Sequence, residues 1–554
     1  MTSRTTAASL LCLATVSASL HGGPAPIGAT SAEPWRSTGE RLYMQGLGTD
    51  GTAVPAIVQG DLRVTSTDMP CANCHRRSGW AGAEGTVTVP PVTGAALYAP
   101  VTRGRDLMGT LRTEGEGTRP AYDDVTLLRA IRDGIDAAGR TLSPTMPRYA
   151  LGAADGAALV AHLRALSVEP PLGVTASEVH LATVMTPRTE TADRVVMLDV
   201  LRAFARDKNA ETRRETRRRE RGPWDMKQHY DNYRRWVLHE WSLTGAPEEW
   251  FAQLAAHYRE QPVYALVSGL GDDWTPVHRF AERFRVPVVL PQTPLPVESS
   301  VSDGFYTMYY SRGVMLEADT LVGQLAKAQP SQLVQLSRCG TPGEAAARRV
   351  RARAPSGVEV VHACIGPSGP IAEHARPPGV RDGATVALWL TRADADALLP
   401  DISAWAGPVY LSATLRGAGI PTAVPAPTVT ALLLHPFVPP ADLERHAWRA
   451  TTWLAARGLG HSGRREVAVN TLFAASLAAE ALTHPRTLDS REYFLERIEH
   501  MASRSPSRSA YPEIVFGVQR RFGSAGCYVL QVPTSPELPY STVAPWSVPS
   551  SSRN

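Results

Sequence analysis

From about residue 178 onward, short apolar runs alternate with longer segments in which apolar residues recur every three or four positions. The short runs are typical of buried strands, and the longer segments are typical of amphipathic helices. Three strand, helix, strand units in succession predict a parallel, doubly wound α/β sheet. These units have strands at 263–268 and 287–290 around a helix at 274–284, strands at 333–336 and 358–362 around a helix at 344–354, and strands at 385–390 and 409–412 around a helix at 393–405.

The chain before this region has a different pattern. Residues 155–166 carry apolar side chains at helical spacing, and the two prolines and the glycine of Val168 to Gly173 end that helix and indicate a linker. We therefore predict a first module at 33–168, a linker at 169–178 and an α/β region at 179–533. Residues 534–554 are rich in Pro and Ser, and we expect them to form a flexible tail.

The extreme N-terminus has the pattern of a secretory signal peptide, which we assign to residues 1–32. Arg4 precedes an apolar stretch from Ala7 to Leu20, and a run of small residues ends at Ala32. The apolar stretch is too short to span a bilayer, and no later segment has 18 uninterrupted apolar residues. We expect an exported protein, periplasmic in a Gram-negative cell, with no transmembrane segment after signal removal.

Composition excludes several classes of protein. Of 554 residues, 43% are hydrophobic and 20% are charged, which is ordinary for a globular chain with a sizeable core. The net charge of +4 is small for this length, so we expect no nucleic-acid partner. The sequence has no G-x-S-x-G, H-E-x-x-H or P-loop motif that would indicate a hydrolase or a nucleotide-binding enzyme.

The most specific motif is the C-x-x-C-H sequence at Cys71, Cys74 and His75. In an exported chain, two thiols at this spacing can form thioether bonds to one haem, and the adjacent histidine can be its proximal iron ligand. A redox dithiol or half of a zinc site are the alternatives, but no second C-x-x-C follows. We predict one covalent haem c on Cys71 and Cys74, with His75 as proximal axial ligand.

An electron carrier needs a second axial ligand, and Met146 is our candidate. It lies in a loop between Pro144 and Pro147, which can hold a thioether rigidly over the iron. Met69 and Met108 are competing methionines, and an open coordination site is a further alternative that would allow catalysis at the haem. With both axial positions filled, we expect an electron carrier and not an enzyme.

Residues 36 to 168 resemble class I monohaem c-type cytochromes. The resemblance includes the opening helix pattern Gly39-Glu40-Arg41-Leu42-Tyr43, the stretch 76–85, the Pro-rich turn Pro90-Pro91-Val92-Thr93-Gly94 and the closing helix at 155–166. It implies an all-α cytochrome c domain. It also implies that a backbone carbonyl in the Pro-rich turn orients the ring of His75.

Residues 178 to 532 resemble type 1 periplasmic binding proteins of the branched-chain amino-acid receptor kind. The matching stretches are 286–293, 305–326, 467–482 and 511–517. The resemblance implies two α/β lobes that close on a small polar ligand by hinge motion. Because ligands of open α/β sheets lie beyond the carboxyl ends of the strands, it points to Ser268, Gly269, Gln292, Thr293, Ser337, Arg338, Thr391 and Arg392. No set of residues for holding an α-amino acid is evident, so the ligand stays unassigned.

Two of the remaining cysteines are candidates for a disulfide. Cys339 and Cys364 each closely follow one of two predicted strands that a single helix joins. If those strands are neighbours, the two thiols lie at the same sheet edge, and an exported protein is in an oxidising compartment. We predict a Cys339–Cys364 disulfide, with Cys527 as an unpaired thiol.

Together these features predict a periplasmic electron-transfer protein with an appended domain for ligand binding or docking. Its redox partners would be a periplasmic dehydrogenase or a terminal oxidase, which no residue identifies. The alternative is a periplasmic solute receptor or sensor, an ABC-type substrate-binding protein, in which the haem is accessory.

Overall fold

The computed structural model describes residues 37–80, 82–84, 87–101, 118–221, 233–298, 304–366, 368–417, 430–459, 464–484, 486–518, 520–535 and 538–549. The predicted signal peptide and Met108 lie outside these residues. The described chain forms an N-terminal module followed by two α/β lobes. No helix in the described ranges is long and apolar enough to cross a membrane.

The N-terminal module is built around two helices that cross at a glycine. A Cβ atom on Gly39 would lie 2.0 Å from the carbonyl oxygen of Ala158, so only glycine allows the first and last helices to approach this closely. The module's helices are α1 (Thr38–Gln45), α2 (Cys71–His75), α3 (Gly94–Leu97), α4 (Asp124–Asp133) and α5 (Ala153–Ala165).

The prediction that this module is all-α is wrong. Two small antiparallel sheets stand beside the helices, one with the strand order β2-β1-β5 and the other formed by β3 and β4. Their strands are too short for a hydrophobic alternation to be recognised in the sequence. They are β1 (Pro55–Val58), β2 (Leu62–Thr65), β3 (Gly82–Glu84), β4 (Val87–Val89) and β5 (Arg148–Tyr149).

The first lobe is a parallel sheet covered by helices, with the strand order β10-β9-β8-β6-β7. Its central strands are buried on both faces, which explains their unbroken apolar runs. Its strands are β6 (Glu178–Met185), β7 (Arg235–Ser242), β8 (Ala265–Val267), β9 (Val288–Val289) and β10 (Thr307–Met308). The helices that connect them are α6 (Thr191–Arg221), α7 (Pro247–Glu260) and α8 (Thr275–Phe284).

The second lobe has a seven-stranded sheet with the order β12-β11-β13-β14-β15-β16-β17. The first five strands are parallel, and β16 and β17 are antiparallel. Its strands are β11 (Gln332–Arg338), β12 (Glu359–Ile365), β13 (Thr385–Trp389), β14 (Val409–Ser412), β15 (Ala431–His435), β16 (Cys527–Gln531) and β17 (Ser541–Ser547). Its helices are α9 (Val314–Ala328), α10 (Pro342–Arg353), α11 (Arg392–Ile402) and α12 (Ala413–Arg416).

The chain crosses between the lobes three times. It leaves the first lobe after β10, returns after β15 and leaves again before β16. Two of these crossings are hydrogen bonded to each other, because Tyr309 N donates to Arg521 O at 2.9 Å and Ser524 N donates to Tyr310 O at 2.7 Å. The returning segment adds α13 (Pro440–His446), α14 (Trp448–Ala455), α15 (Arg465–Leu482) and α16 (Arg491–Met501) to the first lobe.

The prediction of a flexible tail at 534–554 is wrong for its central part. Residues 541–547 form the edge strand β17, and Trp546 packs against Gly526, where a Cβ atom would lie 2.2 Å from the indole. The Pro and Ser residues did not indicate a strand, because both are depleted in central strands. An edge strand, however, tolerates proline on its unpaired side.

Candidate functional site

A cavity of about 530 Å³ lies between the two lobes. Its walls are formed where strands of both sheets end. Residues that follow β8 and β9 line it from the first lobe, and residues that follow β13 and β14 line it from the second. This is the position at which open α/β sheets bind ligands, because the loops at the carboxyl ends of the strands are free to carry polar groups.

Half of the predicted strand-end residues line this cavity, namely Gln292, Thr293, Arg338 and Thr391. Ser268 is fully buried, and Gln292 Nε2 lies 3.4 Å from its hydroxyl. Ser337 contacts the His362 ring at 2.9 Å instead. Gly269 and Arg392 do not line the cavity among the described residues.

On the second lobe, the polar groups of the wall are fixed by their own partners. The Arg338 guanidinium binds both carboxylate oxygens of Asp394 at 2.7 Å and donates to the carbonyls of Gly366 and Gly369. This bidentate pair lowers the pKa of Asp394. The positive charge of Arg338 is therefore already paired with Asp394. Its side chain shapes the cavity wall and adds little net charge to it.

A buried carboxylate supports the loop after β14. Glu317 on α9 is fully buried and accepts hydrogen bonds from the hydroxyl of Ser412 and from the backbone N–H and hydroxyl of Thr414. Burial raises the pKa of Glu317 to about 7, although these hydrogen bonds favour the charged form. Because Thr414 lines the cavity, Glu317 fixes part of the wall from behind.

On the first lobe, acidic side chains cluster at two helix starts. Glu190 and Asp193 lie at the start of α6, and Glu466 lies in the first turn of α15; all three line the cavity. Arg464 forms ion pairs with Glu190 and, at 3.1 Å, with Asp193. Burial raises the pKa of Asp193 and of Glu466, and each carboxylate is flanked by a further acid that acts in the same direction.

Aromatic rings and one histidine form the wall beside the chain crossings. Tyr310 and Tyr511 are stacked with their centroids 5.2 Å apart, and Phe437 lies 4.8 Å from Tyr511. His435 is 1% exposed, and its Nε2 contacts the carbonyl of Val438 at 3.2 Å. Burial lowers the pKa of His435 to about 4, so its imidazole is neutral at pH 7.

The acidic residues and His435 were not among the residues predicted from the sequence. Asp193 and His435 could have been found, since Asp193 follows the carboxyl end of β6 and His435 is the last residue of the apolar strand β15. Glu466 gave no such signal. It enters the site because α15 packs across the first lobe, which is a consequence of tertiary structure.

The residues of the C-x-x-C-H motif lie far from this cavity in the sequence and occupy α2 of the N-terminal module. Cys71 and Cys74 are not joined in a disulfide, and Cys71 packs against the module's hydrophobic cluster. Burial raises the pKa of Cys71 to about 12. His75 Nδ1 lies 3.0 Å from the carbonyl of Pro90, in the Pro-rich turn. Met146 is half-buried in a turn, where its N–H donates to Ser143 O at 3.2 Å.

Two of the three cysteines of the second lobe lie together. Cys339 and Cys364 are joined by a disulfide, with their Cα atoms 5.2 Å apart. Cys364 lies in the edge strand β12, and Cys339 directly follows its neighbour β11. Cys527 is a buried free thiol.

Comparison with solved structures finds proteins that are similar over about two thirds of this chain. An ABC transporter substrate-binding protein from Sphaerobacter thermophilus is 12% identical, with 67% of this chain and 98% of that chain covered and a TM-score of 0.50. A branched chain amino acid ABC transporter protein from Thermus thermophilus with bound valine is 13% identical, with coverages of 68% and 98% and a TM-score of 0.46. A fatty acid ABC transporter substrate-binding protein from Thermomonospora curvata is 14% identical, with coverages of 69% and 95% and a TM-score of 0.46.

The larger part of the chain has a two-lobed fold like that of type 1 periplasmic binding proteins. The similarity to the Sphaerobacter protein and the three crossings between two parallel sheets support this fold. At 12% identity the similarity concerns the fold alone. No protein-family model matches the sequence, and a comparison with curated proteins gives no significant match.

The prediction of a haem cofactor is corrected by these findings. The described part of the chain contains no group of three or more His, Cys, Asp or Glu side chains that could hold a metal ion. A covalent haem c on Cys71, Cys74, His75 and Met146 is therefore not retained. In the structure, the Cys71 thiol is instead part of a hydrophobic core.

Proposed function

We propose that this protein is a small-molecule receptor that binds its ligand in the cavity between the two α/β lobes. The observation that carries this proposal is the cavity itself, which is large enough for a metabolite and is lined by the strand ends of both sheets. Cavities of this size, with mostly apolar walls and a few polar groups, are typical ligand sites.

The connection between the lobes is suited to closure around a ligand. In the described chain three segments link them, and two of these are paired by backbone hydrogen bonds at Tyr309, Tyr310 and Ser524. Gly313, at the start of α9, has a φ of 55°, and a Cβ atom there would lie 2.2 Å from the carbonyl oxygen of Pro294. A small rotation about a short paired segment can bring two rigid lobes together without breaking either core.

This proposal replaces electron transfer as the main function. The electron-carrier interpretation and its redox partners depended on the haem, which is no longer supported. The receptor interpretation depends only on the two lobes, and it requires no catalytic group in the cleft. We therefore propose a binding protein that is not an enzyme, which acts outside the cytoplasm and passes its ligand or its ligand-bound state to a membrane transporter or sensor.

A thermal-shift screen of a metabolite library with the purified full chain tests this proposal. Ligand that binds only the folded protein stabilises it in proportion to the logarithm of its concentration. We expect at least one compound to raise the melting temperature by several degrees and to bind with a stoichiometry of one in isothermal titration calorimetry. If no compound in a chemically broad library does either, the receptor proposal is wrong.

A further inference from the structure

The polar groups of the interlobe cavity are unevenly distributed by charge. Its lining residues include the carboxylates Glu190, Asp193, Asp272, Asp394 and Glu466 but only two guanidinium groups, those of Arg188 and Arg338. Arg338 is held by Asp394, and Arg188 lies 3.5 Å from Asp272. Arg464, which is next to the lining residues, forms ion pairs with both Glu190 and Asp193. The cavity therefore has an excess of negative charge on its first-lobe wall.

Glu466 is the acid in this wall with the fewest partners. It is half-buried in the first turn of α15, and among the described residues no side chain donates a hydrogen bond to it or forms an ion pair with it. Burial disfavours the charge of this carboxylate, and its own backbone N–H and the nearby charges of Arg464 and Arg465 compensate only in part. A bound cation would complete this compensation by pairing with the carboxylate.

A second observation, independent of the acids, comes from a histidine that also lines the cavity. His435 is 1% exposed, and its Nδ1 is buried without a hydrogen-bond partner. Because Nε2 contacts a carbonyl oxygen, Nε2 carries the proton and Nδ1 is an acceptor. Among the described lining residues, His435 Nδ1 is thus a buried acceptor without a donor, whereas Asp193 Oδ1 is ion-paired with Arg464 at 3.1 Å.

The remaining wall suits an organic body. The stacked rings of Tyr310 and Tyr511 and the ring of Phe437 lie at one side, and the indole of Trp389 is fixed by a 2.9 Å hydrogen bond to Gln335. Aromatic faces attract cations as well as apolar groups. A hydrated inorganic ion would leave these surfaces without a partner.

We propose that the ligand is an organic cation with at least one ammonium group and an apolar or aromatic body, and that it carries a net positive charge. This inference rests on the proposed receptor function and specifies its ligand class. The ammonium N–H groups would donate hydrogen bonds to the carboxylates of Glu466 and Asp193 and to His435 Nδ1. A zwitterionic amino acid, whose net charge is zero, would leave the acidic excess uncompensated.

Calorimetric titration of the full chain with three matched probes tests the charge requirement. The probes are 2-phenylethylamine, 2-phenylethanol and phenylalanine, which share a phenyl group and differ in their charged groups; a panel of primary amines with their corresponding alcohols extends the comparison. We expect amines to bind at least tenfold more tightly than the matched alcohols and amino acids. If alcohols or amino acids bind as tightly as amines, the ligand class is wrong while the receptor function stands.

A pair of variants locates the interaction. Glu466→Gln keeps the shape of the side chain and removes its charge, so we expect amine affinity to fall at least tenfold. Glu480→Gln changes an exposed residue on the same helix and should leave affinity unchanged. Equal affinity for amines in both variants overturns the proposal, provided that the variants keep the wild-type melting temperature. If neither these probes nor any compound of the metabolite library binds the wild type, the receptor function fails as well.

Discussion

At the scale of single residues, buried carboxylates determine how the cleft is built. Glu317 is completely removed from solvent, yet it accepts three hydrogen bonds from Ser412 and Thr414 and so fixes a loop that lines the cavity. Burial and hydrogen bonding act in opposite directions on its pKa, and burial has the larger effect. Such a group links the stability of the second lobe to pH.

Replacement of Glu317 by Gln should change the pH dependence of stability. The pKa of Glu317 is raised from its ordinary value of 4.5 to about 7, so the folded state favours the protonated form. Its stabilising contribution is complete below pH 4.5 and is lost as the pH rises through 7. Glu317→Gln cannot ionise, so we expect its free energy of unfolding to rise relative to wild type over this interval, by on the order of 3 kcal/mol.

Urea unfolding at several pH values measures this difference. Glu248→Gln, which changes an exposed residue at the start of α7, is the control and should follow the wild type at every pH. A constant difference between Glu317→Gln and the wild type from pH 4 to pH 8 would show that Glu317 does not titrate in this range.

At the scale of elements, the disulfide joins the edge strand β12 to its neighbour β11. The loop between Cys339 and Cys364 spans a sequence separation of 25 residues and contains all of α10. Cross-linking the chain across this loop removes conformational freedom from the unfolded state. The disulfide therefore stabilises the folded second lobe at β12, the edge strand of its sheet.

We expect the double variant Cys339→Ala/Cys364→Ala to lose about 3 kcal/mol of unfolding free energy, as loop-closure entropy predicts for this loop length. Chemical denaturation without reductant measures the loss. In the presence of dithiothreitol, the wild type should unfold at nearly the same denaturant concentration as the variant. If unfolded, non-reduced wild-type protein alkylates at all three cysteines of the two lobes, the disulfide does not form.

The elements also show how much of this fold the sequence could predict. Every predicted strand and helix of the α/β region has a counterpart in the structure, because buried strands and amphipathic helices have distinct hydrophobic periods. The short strands of the N-terminal module were missed because two to four residues give no clear period, and β17 was missed because it contains Ser and Pro. Cleft residues at strand ends were partly predictable, and His435 at the end of β15 belongs to this group, whereas Glu466 depends on how distant segments pack.

The C-x-x-C-H motif shows the opposite error. Three residues on one helical turn are a short pattern, and their types suggested chemistry that the comparisons do not support. In the structure, the Cys71 thiol contributes to a hydrophobic cluster together with residues from α1, α4 and α5. A local motif cannot reveal this role, because the packing partners lie tens of residues away in the sequence.

At the scale of the whole molecule, the N-terminal module is attached to the first lobe by buried polar contacts. Glu499 on α16 binds Arg76 at 2.5 Å and Arg521 at 2.6 Å, and neighbouring Glu496 accepts hydrogen bonds from the backbone N–H and hydroxyl of Ser78. A second pair links Arg285 to Glu40 at 2.7 Å. These contacts join the module to the first lobe, so we expect closure of the cleft to move the second lobe against both.

Removal of the Glu499 carboxylate should disrupt this attachment. Glu499→Ala leaves the Arg521 guanidinium, whose side chain is 6% exposed, without its ion-pair partner. The loss of one partner from a buried pair costs about 3–5 kcal/mol. We expect a corresponding fall in unfolding free energy and faster limited proteolysis between residues 166 and 178. The control is Glu444→Ala, a residue whose side chain is 77% exposed. Equal proteolysis of the two variants would contradict the proposed attachment.

The location of ligand binding is tested most directly by blocking the cleft. For the compound that raises the melting temperature most, affinity is measured by calorimetry in the wild type, in Thr293→Trp, which fills the cavity from the first lobe, and in Thr244→Trp, an exposed position outside the cavity lining. We predict one site per chain in the wild type and in Thr244→Trp, and at least a hundredfold loss of affinity in Thr293→Trp. Unchanged affinity in a correctly folded Thr293→Trp protein would show that the ligand binds elsewhere and would contradict the receptor account.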